Sequence, residues 1–105
     1  MRENNFQPVF MRKLRATFPG CLILKNDSSY IQGIPDLLLL YGDRWAAFEV
    51  KASEREPYQA NQEYYIDMLD DMSFAARVSP ENMAEVLDAV QRAFSTYRPA
   101  RVLKR

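Results

Sequence analysis

Three ionisable residues of the chain, Asp36, Glu49 and Lys51, are of types that together perform hydrolytic chemistry. Two carboxylates held close together repel each other unless they share a proton, which raises one pKa, or bind a cation. Hard divalent cations such as Mg²⁺ take oxygen ligands, often one or two carboxylates together with substrate phosphates. A lysine beside such a cation can hold a water molecule or stabilise charge on a phosphate. The alternative is a cross-strand salt-bridge cluster at the rim of a sheet.

The element that must bring these residues together is a β-hairpin. Residues 37–41 are apolar, and residues 45–50 are aromatic, small and β-prone. Between them, Gly42-Asp43 suits a two-residue type II′ turn, because glycine is favoured at its first central position. In that register Asp36 lies directly opposite Glu49, with Cβ atoms about 4.5–5.5 Å apart. The lysine two residues beyond the glutamate points to the same face.

The motif around the hairpin resembles a known nuclease superfamily. Gly33-Ile34-Pro35-Asp36 followed by Glu49-Val50-Lys51 looks like the core of the PD-(D/E)XK nucleases. The compact arrangement is similar to the VRR-NUC and Holliday-junction-resolvase-like branch, which is common in phages, and the resemblance spans residues 3–94. It implies that the two carboxylates and the Val50 carbonyl hold Mg²⁺ or Mn²⁺. It also implies that the lysine positions the attacking water.

The resemblance implies two further catalytic residues on the flanking helices. Family members often carry a glutamate on the first helix that faces the metal, and Glu3 is the candidate here, with Gln7 one turn later as a neutral substitute. They also place a glutamine on the helix after the hairpin, near the lysine. Gln62 fits that position, and Gln59 is the alternative. The ordinary explanations are a carboxylate favoured by the helix dipole at an N-terminus and a solvated glutamine.

Charge is distributed unevenly along a chain whose net charge is zero. Residues 54–88 contain nine acidic and two basic side chains, whereas residues 98–105 form a tail with four basic and no acidic ones. Local basic patches can bind DNA in a neutral protein. The candidates for contacts with phosphate or bases are Lys25, Tyr30, Arg98 and Arg101. The alternative is that these side chains are simply solvated.

The predicted elements follow the order α-β-β-β-α-β-α within a single domain over residues 1–97. A strand–helix–strand crossover after the hairpin implies at least one parallel strand pair. We therefore expect an α/β fold with a small mixed β-sheet flanked by helices, which is also the restriction-endonuclease-like fold of the superfamily that the motif resembles.

Helix boundaries are predicted from capping residues and periodicity. Asn4 or Asn5 caps the first helix, with Pro8 in its first turn. Apolar spacing places the second long helix over residues 59–72. The last helix begins at Ser79-Pro80, with serine as the N-cap and proline at the first helical position.

The residue types that the chain lacks exclude several functions. There is no histidine, which excludes a Ser-His-Asp triad, a histidine base and histidine-bearing zinc sites within this chain. Cys21 is the only cysteine, so no intramolecular disulfide forms, and we expect a reducing compartment, the cytoplasm of a bacterial or phage-infected cell. No stretch has the length and hydropathy of a membrane span, and we expect no signal peptide and no membrane partner.

Residue chemistry and resemblance together predict a divalent-metal-dependent endonuclease that hydrolyses DNA phosphodiester bonds. The finer expectation is selectivity for branched or junction DNA. Symmetric cleavage of a four-way junction needs two active sites and therefore a homodimer. The alternative is a catalytically inactive module that binds nucleic acid or protein on a nuclease-like fold.

Overall fold

The computed structural model describes residues 3–96, with side chains from residue 5 onward. Within that range the chain forms helices α1 (Glu3–Thr17), α2 (Gln62–Met72) and α3 (Met83–Ser95) and strands β1 (Leu22–Lys25), β2 (Leu37–Tyr41), β3 (Arg44–Val50) and β4 (Ala75–Val78). This order is the predicted one, and it confirms an α/β fold with a small mixed sheet. No helix of the described range is long and apolar enough to cross a membrane.

The four strands lie side by side in the order β1-β2-β3-β4. The first two pairs are antiparallel, and the last pair, joined through the α2 crossover, is parallel as predicted. In the hairpin Tyr41 pairs with Arg44 and Leu37 with Phe48, which is the register expected from its turn. Gly42 has φ +63°, and Asn61 is the only residue other than glycine with positive φ in the described range. A type II′ turn requires positive φ only at its first central residue, so the turn type also agrees.

The main hydrophobic core lies between one face of the sheet and helices α1 and α3. Phe10 of α1 packs edge-to-face on Phe48 of β3, with ring centroids 5.0 Å apart. Burying one such side chain contributes about 1.5–3 kcal/mol. On the other face, Ile66 of α2 packs on Ala47 and Ala75 of the parallel strands. Because side chains alternate along a strand, Asp36, Glu49 and Lys51 fall on this second face.

The first two helices begin at different residues from those predicted. α1 already includes Asn4 and Asn5, so neither caps it, and Pro8 lies inside the helix beyond its first turn. Predicted to begin at residue 59, α2 begins at Gln62 instead. The cause is Asn61, whose φ of 68° and ψ of −4° are left-handed and cannot continue a right-handed helix.

The last helix and strand also begin later than predicted. α3 begins at Met83 rather than at Ser79-Pro80, because residues 79–82 form a hydrogen-bonded turn. In that turn Asn82 Oδ1 accepts the Ser79 N–H at 2.8 Å, and the Asn82 N–H donates to the Ser79 carbonyl at 3.2 Å. The sequence predicts a last strand over residues 73–78, and β4 begins two residues later, at Ala75.

Gly33 connects the loop before the hairpin to the start of α2. Its φ is +90°, and a Cβ at this position would lie 2.7 Å from the Ala60 carbonyl oxygen and from two atoms of Asn61. Only glycine accommodates both the positive φ and this close approach. The contact holds the residue that precedes Gln62 in place.

We expect Gly33→Ala to lower the free energy of unfolding by about 2–5 kcal/mol, since left-handed strain adds to overpacking against backbone atoms. Chemical denaturation measures the loss. Gly20→Ala is the matched control, because Gly20 has φ +86° and a Cβ added there would meet no atom within 4 Å. Equal losses in the two variants would show that the contact with residues 60–61 is not tight.

Candidate active site

The hairpin brings the two predicted carboxylates into contact. Asp36 directly precedes β2, and its Oδ2 accepts the N–H of Val50 at 2.8 Å. The register of β2 and β3, continued by one residue beyond Leu37 and Phe48, sets Asp36 opposite Glu49. Two carboxylates opposed in this way repel each other unless a shared proton or a cation neutralises them.

Lys51 lies beside this pair and is buried together with Glu49, whereas Asp36 is half-buried. Glu49 and Lys51 are each only 2% exposed. The Lys51 Nζ lies 3.7 Å from Glu49 Oε2 and 3.7 Å from Glu56 Oε2. Buried charges cost several kcal/mol each in lost hydration unless hydrogen bonds and opposite charges compensate them. The lysine is therefore held in a set of polar contacts, and its ammonium has little freedom to point elsewhere.

Gln62, the first residue of α2, links the lysine to the glutamate. Its Nε2 donates to Glu49 Oε2 at 3.0 Å. Its Oε1 accepts from Lys51 Nζ at 2.9 Å and from the Gln59 backbone N–H at 2.7 Å. Two donors facing the oxygen and an acceptor facing the nitrogen fix the orientation of the amide. Of the two glutamines considered from the sequence, the side chain of Gln62 enters the site, and Gln59 contributes only its backbone.

The environment of Asp36 raises the pKa of its carboxyl. Burial is the main cause, and the nearby Glu56 raises the pKa further, whereas the hydrogen bond from the Val50 N–H, the interaction with Glu49 and the charge of Lys51 oppose the rise. A carboxyl whose folded-state pKa is raised stabilises the fold at pH values below its ordinary pKa. That contribution is lost as the pH rises through the raised value. The ionised form of Asp36 is therefore disfavoured by the fold, and a bound cation would compensate its charge.

The residues present fit a divalent cation. Lys51 faces Glu49 and Glu56, and Asp36 lies opposite Glu49, so the three carboxylates outnumber the ammonium when all are ionised. In the part of the chain that the structure describes, no three Asp, Glu, His or Cys side chains are arranged to hold a metal ion. A cation held here would have the Asp36 and Glu49 carboxylates as side-chain ligands and water or substrate phosphate as further ligands, which is the pattern typical of Mg²⁺. The family resemblance would add the Val50 carbonyl.

Other residues predicted for the site lie apart from it or outside the described range. Glu3 begins α1, but its side chain is not among those described. Gln7 is half-buried one turn later on α1 and takes no part in the hydrogen bonds that link Gln62 to the lysine and the glutamate. α1 itself packs on the opposite face of the sheet, since Phe10 contacts Phe48 there.

Of the four residues predicted to contact nucleic acid, the structure describes two, and they lie in different elements. Lys25 ends β1 and pairs with the buried Leu37, so its side chain leaves the sheet on the α1 face, away from the carboxylates. Tyr30 is 85% exposed in the loop before the hairpin. Arg98 and Arg101 lie outside the described residues, as does the rest of the basic tail.

Glu56 is a site residue that the sequence did not identify. Its Oε1 accepts the Ala52 N–H at 2.9 Å, and its Oε2 faces the Lys51 ammonium. The surrounding stretch is polar and charged, which is typical of a solvated loop. The spacing of four residues between Ala52 and Glu56 allows this side-chain-to-backbone hydrogen bond, but such a spacing is only weak evidence for a site residue.

Comparisons of the chain with protein-family models, with curated proteins and with solved structures gave no match. The resemblance to the PD-(D/E)XK superfamily therefore stays a prediction from the motif, and the geometry of the site carries the argument for function.

Proposed function

We propose that the protein is a Mg²⁺- or Mn²⁺-dependent endonuclease that hydrolyses DNA phosphodiester bonds. The observation that carries this proposal is that the half-buried Asp36 lies beside the buried Glu49 and Lys51, with Gln62 hydrogen-bonded to both the glutamate and the lysine. This set offers oxygen ligands, a cationic donor and a fixed geometry in one place. Those are the requirements of metal-assisted phosphodiester hydrolysis.

Each residue has a defined part in the proposed reaction. Asp36, Glu49 and the Val50 carbonyl would hold the cation, which when bound lowers the pKa of water and stabilises charge on the phosphate. Lys51 would orient the attacking water or donate to a non-bridging phosphate oxygen. Gln62 keeps the ammonium directed toward the glutamate. The water oxygen would form the new bond to phosphorus in line with the leaving oxygen, whose bond to phosphorus breaks. The water would give up its proton to solvent, and the leaving oxygen would take a proton from solvent.

The proposal explains the burial better than a structural salt bridge does. A buried ion pair is poor support for stability, because its desolvation often costs more than the attraction returns. Burial raises the pKa of Asp36, so the charged form of this carboxyl is disfavoured as well. Titratable groups with strongly altered environments occur most often at functional sites. The cluster therefore destabilises the fold in a way that cation binding would offset.

Finer features of the activity belong to the same proposal. We place the protein in the cytoplasm and expect a homodimer that acts on branched or junction DNA. Apolar side chains exposed on the α2 side of the sheet support self-association: Leu22 and Leu24 of β1 are 55% and 41% exposed, and Met72 of α2 is 65% exposed. The basic tail, residues 98–105, would add phosphate contacts.

The proposal is tested with labelled duplex, single-stranded and four-way-junction DNA and single-stranded RNA, each incubated with Mg²⁺, with Mn²⁺ or with a chelator. We expect cleavage of at least one DNA substrate with either metal and none with the chelator, because the carboxylates alone cannot activate water. Excess Mg²⁺ added after the chelator should restore cleavage. A folded protein that cleaves nothing in either metal would contradict the proposal and favour the non-catalytic binding module.

A further inference from the structure

Arg77, on β4, makes an unusual set of contacts beside the site. It pairs with Glu49 in the parallel register of β3 and β4, so it lies on the strand next to the buried glutamate. Its guanidinium Nη2 donates to three backbone carbonyls of the loop that follows β3, those of Ser53 at 3.3 Å, Glu54 at 3.1 Å and Glu56. One side chain thus binds several parts of the segment that leaves β3.

An aromatic ring holds the same guanidinium from another side. The guanidinium carbon of Arg77 lies 5.0 Å from the centre of the Tyr58 ring, within the range of a cation–π contact. Tyr58 belongs to the same loop as the three carbonyls. Arginine is suited to this position because its planar, forked donors reach several acceptors while its face stacks on a ring, which a lysine cannot reproduce.

The loop that Arg77 holds carries a carboxylate to the site. Arg77 binds the backbone carbonyl of Glu56. The side chain of Glu56 accepts the Ala52 N–H and faces the Lys51 ammonium. On its other sides the ammonium meets Glu49 and Gln62. The path of the loop therefore decides whether the lysine is enclosed or open to solvent.

We propose that Arg77 is a positioning residue that closes the loop 52–58 over Lys51. By binding the loop carbonyls it places Glu56 against the ammonium and keeps the lysine directed at Glu49 and Gln62. This inference rests on the proposed function in one respect, that Lys51 takes part in the cleavage reaction. The closure itself does not depend on any cleavage, so it is measured separately.

The experiment is competitive acylation of lysine amines in the intact folded chain, followed by digestion and mass spectrometry. In the wild-type protein we expect Lys51 to react far more slowly than Lys25, which is exposed and serves as the internal reference. In Arg77→Ala the rate at Lys51 should rise about tenfold relative to that reference, because local opening governs access to a buried group. Arg55→Ala is the matched control, since Arg55 is an exposed arginine of the same loop.

Two more variants keep the test decisive if Arg77→Ala does not fold. Arg77→Lys retains the charge and Glu56→Gln retains the loop, and each should still raise the labelling of Lys51. Labelling that stays at the wild-type rate in the folded variants would overturn the inference. If the wild-type protein cleaves DNA, Arg77→Ala should lower kcat with little change in KM. If the wild-type protein cleaves DNA but Lys51 is labelled at the wild-type rate in the Arg77 and Glu56 variants, this inference is overturned and the proposed function stands.

Discussion

Asp36→Asn and Glu49→Gln should each weaken Mn²⁺ binding by about 100-fold or more and lower metal-dependent cleavage by about 10³-fold. Each change removes one of the two carboxylates that meet across the hairpin. The folds should be kept, because asparagine can still accept the Val50 N–H and glutamine can still bind the Gln62 amide. The expected losses of Mn²⁺ binding and cleavage therefore come from the missing ligand charge and not from a change in the fold.

Calorimetric titration with Mn²⁺ measures the binding, and the substrate panel measures the cleavage. Asp43→Asn is the matched control for Asp36→Asn, because Asp43 lies in the turn of the same hairpin with its side chain 81% exposed. Glu54→Gln is the matched control for Glu49→Gln, because Glu54 is exposed in the loop that follows β3. Mn²⁺ affinity that is unchanged in both site variants would remove these carboxylates from any metal site.

Lys51→Ala should lose cleavage by about 10²–10⁴-fold, the range typical of a positioned proton-transfer or charge-stabilising group. Its Mn²⁺ affinity should be equal to that of the wild-type protein or higher. The ammonium lies 3.7 Å from Glu49 Oε2, where it competes with a cation for the carboxylate. Lys51→Ala should therefore lose cleavage while it keeps metal binding, whereas the carboxylate variants should lose both.

The control for this variant is Lys13→Ala, which removes an exposed lysine of α1, the helix on the opposite face of the sheet. Thermal unfolding of both variants without metal shows whether the buried carboxylates tolerate the loss of their partner. Cleavage near the wild-type rate in Lys51→Ala would exclude the lysine from the mechanism. Loss of Mn²⁺ binding together with cleavage would assign it a structural role instead.

The sequence predicted those parts of the fold that depend on neighbours along the chain. The register of the hairpin followed from Gly42-Asp43 and two β-prone runs, and the parallel pair followed from the crossover. The starts of α2 and α3 did not follow. The left-handed Asn61 is held against Gly33 from a distant loop, and the turn at residues 79–82 replaced a plausible serine cap. The first arrangement depends on a residue far away in the sequence. The second is local, but Ser-Pro is favoured both at the start of a helix and at the start of a turn, so the sequence does not distinguish the two.

The same division applies to the candidate site. The proximity of Asp36, Glu49 and Lys51 was predictable because one hairpin places all three. The contributions of Glu56 and Arg77 were not, because they depend on the route of a loop and on which strand lies beside it. Arginine bound to backbone carbonyls has no particular residue type as its partner, so no pair of letters in the sequence reveals it.

Much of the support around the buried lysine comes from main-chain groups. The N–H groups of Val50, Ala52 and Gln59 donate to site side chains, and loop carbonyls accept from Arg77. Every residue type has a carbonyl, and all but proline have the N–H. Substitutions can therefore accumulate along the loop while the same hydrogen bonds persist, and the identity of the site is concentrated in a few positions. Two descendants of such a chain would stay alike in geometry long after an alignment had ceased to relate them.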